Sequence, residues 1–156
     1  MEWFKIKGRA RRSEFWAKTG IILGCEFLMY CVSEEIYTLF YILYFIVNVD
    51  WYMTFCRRLQ DINAKVNLLG FLGDDDNPTF WDYFIGISAL GDIIYLVAVL
   101  LGFYIDPSNV SGKASVFLTM AEWAPLALLL VSFIVGCIDG TVGANKYGPD
   151  PKNRTK

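Results

Sequence analysis

Thr54-Phe55-Cys56-Arg57-Arg58-Leu59-Gln60-Asp61-Ile62 closes one long apolar segment, Ile36 to Phe55, and opens the polar break of residues 56 to 79. Two adjacent arginines ending a hydrophobic run predict a membrane anchor, with the stems in lipid and the guanidiniums reaching headgroup phosphates. Asp61 stands four residues after Arg57 and three after Arg58, so on a continuing helix it can pair with either.

Composition points the same way. Of 156 residues, 55% are hydrophobic and 19% charged, against roughly 45–50% and 25% in soluble domains, and the mean hydropathy is +0.39. The apolar excess sits in blocks, which is how a membrane chain differs from a soluble one. The length suits one domain, residues 1 to 156. There is no histidine, so the commonest metal ligand and the commonest general base near neutral pH are missing. Cys25, Cys31, Cys56 and Cys137 form no Cys-x-x-Cys pair and read as small buried apolar residues. No catalytic residue, cofactor, metal site or nucleic-acid partner is expected.

Four apolar runs predict an all-α integral membrane protein with spans at about 15–32, 36–55, 80–105 and 115–138 and a tail at 139–156. The basic arm before Phe15, with no small-residue cleavage site after it, reads as an uncleaved signal anchor. Ser33-Glu34-Glu35 is so short a link that spans one and two must form an antiparallel hairpin. Span two carries a polar-aromatic stripe, Tyr37, Tyr41, Tyr44, Asn48, Trp51 and Phe55, expected to meet protein or water rather than lipid. Asp74, Asp75 and Asp76 precede the third span. Asn77 suits its cap, Pro78 its first turn, and Thr79-x-x-Asp82 reads as a capping box. Glycines and prolines make the tail a set of turns. Of the loop cations, Lys113 alone falls on the side away from both termini, so the positive-inside rule places both termini in the cytoplasm.

Four acids fall inside the spans: Glu26, Asp50, Asp92 and Glu122, with no basic residue expected at similar depth. By position Asp50 lies nearest the cytoplasm, Asp92 centrally, and Glu26 and Glu122 outward, a ladder across the bilayer. A charge near the bilayer centre costs at least about 2.5–3.5 kcal/mol, so these acids either hydrogen-bond between helices or line a wet path. Ser88 and Tyr95 share a face with Asp92, and Pro125 frees a carbonyl near Glu122. Ala89-Leu90-Gly91-Asp92 resembles the Gly-x-Gly-Asp of intramembrane aspartyl proteases. Its first glycine is replaced and no Tyr-Asp pair precedes it, so no enzyme is expected.

Three motifs fall on the cytoplasmic side of this arrangement. They are Gly8-Arg9-x-x-Arg12-x-x-Phe15-Trp16, Arg57-Arg58-Leu59-x-Asp61, and Gly140-x-x-Gly143-x-Asn145-x-Tyr147-Gly148-Pro149-Asp150-Pro151. Together and in this order they resemble the small bacterial inner-membrane proteins of the YhaH/YhaI type, a domain of unknown function. The chain departs from that pattern at Gln60, where the family usually has histidine, and over Asn63 to Leu69, where it usually has Gly-Arg-Ser-Gly-Trp-Trp. The resemblance implies a location and a fold; physically, the three pieces make sense as one cytoplasmic collar built from Arg9, Arg12, Arg57, Arg58, Asp61, Asn145, Tyr147 and Asp150. Such a collar is either a structural clasp anchored on lipid or a pocket for an anionic headgroup. Two functions follow as expectations. The first is an oligomeric cation- or proton-handling channel or transporter subunit. The alternative is a non-conducting scaffold or accessory protein that binds anionic lipid or a partner through the collar.

Overall fold

A computed structural model describes residues 8–29, 31–66, 79–101 and 113–153, with the side chains of Glu34, Glu35, 113–122, 124 and 125 left aside. The chain is all-helical: α1 Arg12–Met29, α2 Glu34–Asp61, α3 Phe80–Leu100 and α4 Lys113–Cys137. Among the described residues there is no strand, only one isolated bridge between Asn145 and Gly148. Two of the helices, over Ile36–Asp61 and Phe80–Leu100, are long and apolar enough to cross a membrane. The acidic run Asp74 to Asp76, Asn77 and Pro78 lie outside the described residues.

Helix boundaries differ from the expected spans in instructive places. The second helix runs on past Phe55 through both arginines and stops at Asp61. It ends in a Schellman turn: Ala64 N–H donates to Leu59 O at 2.9 Å and Asn63 N–H to Gln60 O at 3.1 Å. Asn63 takes the left-handed conformation this turn needs, at φ 63°. The capping box forms as the sequence predicts, with Thr79 itself as the N-cap of α3 and its hydroxyl and backbone exchanging hydrogen bonds with Asp82. The tail is a chain of turns rather than a helix.

The four helices pack in a ring, each against the next, and α2 touches all three others. At the α1–α4 seam a Cβ on Gly136 would meet Trp16 Cζ2 at 2.6 Å, so only glycine lets these helices close. Phe15, Phe55, Leu59, Ile85 and Leu128 are 0% exposed and form a plug near one end of the ring. The distribution of polarity is inverted relative to a soluble bundle. Lys18, Asp50, Arg57, Arg58, Asp61 and Asp92 are buried, while Phe27, Leu39, Phe80, Leu101, Leu130 and Ile134 stand exposed. An apolar exterior around a charged interior suits a lipid solvent. The cysteines do not all follow their expectation: Cys56 is buried, Cys25 half-buried, and Cys31 and Cys137 lie on the outer surface.

Candidate functional site

The end of the ring where Arg9 meets the residues after α4 is tied by one knot centred on Asp61. Its carboxylate accepts from Arg9 Nε at 2.8 Å and from Arg58 Nη1, and the side chains of both arginines are at most 1% exposed. Each guanidinium then reaches into the tail. Arg9 donates to the carbonyls of Gly143, at 2.6 Å, and Thr141, while Arg58 donates to that of Ile138. Thr141 returns two bonds to Asp61 O, through N–H at 2.9 Å and its hydroxyl at 3.0 Å. Asp150 lies 3.9 Å from Arg9 and accepts from Gly143 N–H. Asn145 donates to Gln60 O at 2.9 Å and Tyr147 to Ala64 O at 2.8 Å. Gly140 makes the approach possible, because a Cβ there would stand 2.7 Å from Asp61 Oδ1. Gln60 closes the N-terminal side, its Oε1 accepting from Gly8 N–H at 3.2 Å.

This geometry corrects the expectation that Arg57 and Arg58 reach headgroup phosphates. Both are buried within the protein because α2 continues past them and the tail folds over its end. Only Arg58 takes Asp61. Arg57 instead makes a two-pronged pair with Glu14, both bonds at 3.1 Å. Arg12 is the partly open member, paired to Asp139 at 2.9 Å. Exposed cations ring the clasp at Arg11, Lys65, Lys146 and Lys152.

A second correction concerns the interior acids. Asp50 does have a basic partner at its depth: Lys18 Nζ lies 2.7 Å from its carboxylate and donates to Thr54 Oγ1 at 2.9 Å. Glu14 is 3.9 Å from the same ammonium, so Asp50, Lys18, Glu14 and Arg57 form a neutral column along the α1–α2 contact. The polar stripe of α2 meets protein, as expected. Trp51 donates to Thr19, and Asn48 donates to Asp92 Oδ2 at 2.9 Å. Tyr52, from the same helix, donates to that oxygen at 2.6 Å. Ser88 and Tyr95, the expected neighbours of Asp92, bond elsewhere, to Phe84 O and the Tyr37 hydroxyl. Glu26 accepts from the Tyr44 hydroxyl, which accepts in turn from Asn48, each at 3.4 Å. Because Asn48 and Tyr52 flank Asp50 along α2, Asp50 and Asp92 lie at one level on opposite faces of that helix, and the expected placing of Asp50 nearer the cytoplasm than Asp92 does not hold. The side chain of Glu122 lies outside the described residues.

Glu14, Lys18 and Thr141 are the members that reasoning from sequence left out. A signal existed for the first two: Glu14 and Lys18 are an i,i+4 pair on one face of α1, which an apolar helix facing lipid would not carry. No group of three or more metal-ligating side chains exists among the described residues.

Comparison with curated proteins and with solved structures finds no match. The family described as "Protein of unknown function (DUF805)" matches residues 3–149, which takes in all four helices and most of the clasp. The chain therefore belongs to that family.

Proposed function

We propose that the chain is a four-span protein of the bacterial inner membrane, with both termini cytoplasmic, that acts as a non-conducting, non-catalytic scaffold. The observation that carries this reading is the closed clasp: Arg9 and Arg58 are buried, share Asp61 and each donate to tail carbonyls as well. A guanidinium so occupied offers no fork to an incoming phosphate. The clasp is then a rigid base, and the outward cations Arg11, Arg12, Lys65, Lys146 and Lys152 are what it presents to anionic headgroups. The apolar outer face of α3, with Phe80, Ile87, Val97 and Leu100 exposed, supports a lipid solvent. One copy encloses its own charged interior, so the reading needs no second copy.

Reconstitution tests it. Proteoliposomes should pass no proton, sodium or potassium flux above empty vesicles across a range of pH and membrane potential. Replacing Arg11, Lys146 and Lys152 together by glutamine should weaken the preference for anionic over neutral lipid while leaving the clasp closed. Measured flux would instead favour the channel or transporter reading, which rests on the hydrogen-bonded string from Glu26 to Asp92.

A further inference from the structure

Unlike Asp50, Asp61 and Asp150, the buried Asp92 has no counter-charge among the described residues, only the neutral donors Tyr52 and Asn48. The groups around it can be named helix by helix. From α1 comes Glu26; from α2 come Tyr41, Tyr44 and Tyr52; on α3 itself is Tyr95, whose ring packs on Tyr41. The described buried side chains of α4 are Leu128, Leu129, Ser132 and Val135, none of which titrates near neutral pH. The ion pair Lys18–Asp50 lies on the far face of α2.

Access to this layer is asymmetric. Towards the clasp it is sealed by Phe55, Cys56, Leu59 and Ile85, all at most 1% exposed. Away from the clasp Tyr41 is buried, but Glu26, Tyr44, Tyr37 and Tyr95 are only half-buried. A metal cation does not fit, because Asp92 Oδ2 already receives two donor hydrogens and a hard cation wants several oxygens.

We infer that Asp92, coupled to Glu26 through Asn48 and Tyr44, is a dead-ended proton site that loads and empties only from the face opposite the clasp. The inference rests on the membrane-spanning reading above, and it makes the protein a sensor of proton activity on one side rather than a conduit. The exchange is a simple one. The carboxylic acid releases one proton to water on that face, and the carboxylate left behind is held by the hydrogens of Tyr52 and Asn48. Releasing a proton leaves a buried negative charge, so the change of state is felt by α2 and α3 together.

The test uses the full chain in proteoliposomes, with the pH of each bath stepped separately and infrared difference spectra recorded. Protease cleavage at a site added after Lys156 reports which bath the tail faces. A protonated-carboxyl band should rise and fall with the bath opposite the tail, ignore the tail-side bath, and vanish in Asp92→Asn. Tyr52→Phe, which removes one donor and keeps the ring, should shift the same band in frequency. It serves as a second handle if the first variant folds poorly. A band that follows the tail-side bath, follows both, or never titrates overturns the inference. The tail assay separately decides the orientation, since the prediction is made relative to the clasp.

Discussion

Asp50 and Asp92 sit at one level on opposite faces of α2, yet the protein treats them differently. Asp50 faces α1 and is matched by Lys18 at 2.7 Å within a column that also holds Glu14 and Arg57. Asp92 reaches α2 from the other side and is met by a phenol and an amide. The α1–α2 contact is therefore held by charge cancelling charge, the α2–α3 contact by neutral donors around an acid. The first should be intolerant of losing one partner. The second should tolerate any side chain that keeps the hydrogen bonds.

The sharpest way to break this contrast is Lys18→Met. Leaving Asp50 buried without its ammonium should cost about 3–5 kcal/mol, read as loss of folded protein in detergent denaturation. Adding Asp50→Leu to Lys18→Met should recover most of it, since a matched apolar pair replaces a matched ionic one. Gly140→Ala comes next. Its methyl overlaps the Asp61 carboxylate, so the tail should swing away and residues 140–151 become open to protease, at about 1–3 kcal/mol. On the other face of α2, Asp92→Leu should cost only about 0.5–2 kcal/mol, and Asp92→Asn less, because asparagine still accepts from Tyr52. If Asp92→Leu proved as damaging as Lys18→Met, the distinction between the two faces would fail. The smallest effect is expected at Arg12→Ala, whose partly exposed pair with Asp139 should be worth under about 1 kcal/mol and fade with added salt.

Local features were legible in the sequence. The capping box at Thr79, the four helices and the turn-rich tail follow from residues a few positions apart. Most of the clasp's membership was legible as well, Thr141 excepted, because the three motifs fall at neighbouring helix ends. Its wiring was not. Arg57 and Arg58 stand four and three residues before Asp61, and spacing alone cannot say that Arg58 takes the carboxylate while Arg57 turns to Glu14 on another helix. Their burial was hidden too, since a basic pair ending an apolar run looks the same whether lipid or the protein's own tail covers it. Lys18 lies just inside the first helix, and its place in the chain does not show which acid it meets. Its long stem carries the ammonium across to Asp50 on the facing helix.

The clasp also fixes an order of events during synthesis. Arg9 and the Gly143 carbonyl it holds are 134 residues apart, and Asp61 lies between them. At about 5–20 residues per second the N-terminal guanidinium waits roughly 7–27 s for its last partner to be made. Until then the ends of α1 and α2 carry charged groups that only the tail can cover. A chain cut short before Ile138 thus emerges with its helices made and its base unfinished, a difference that a protease surveying the membrane could read.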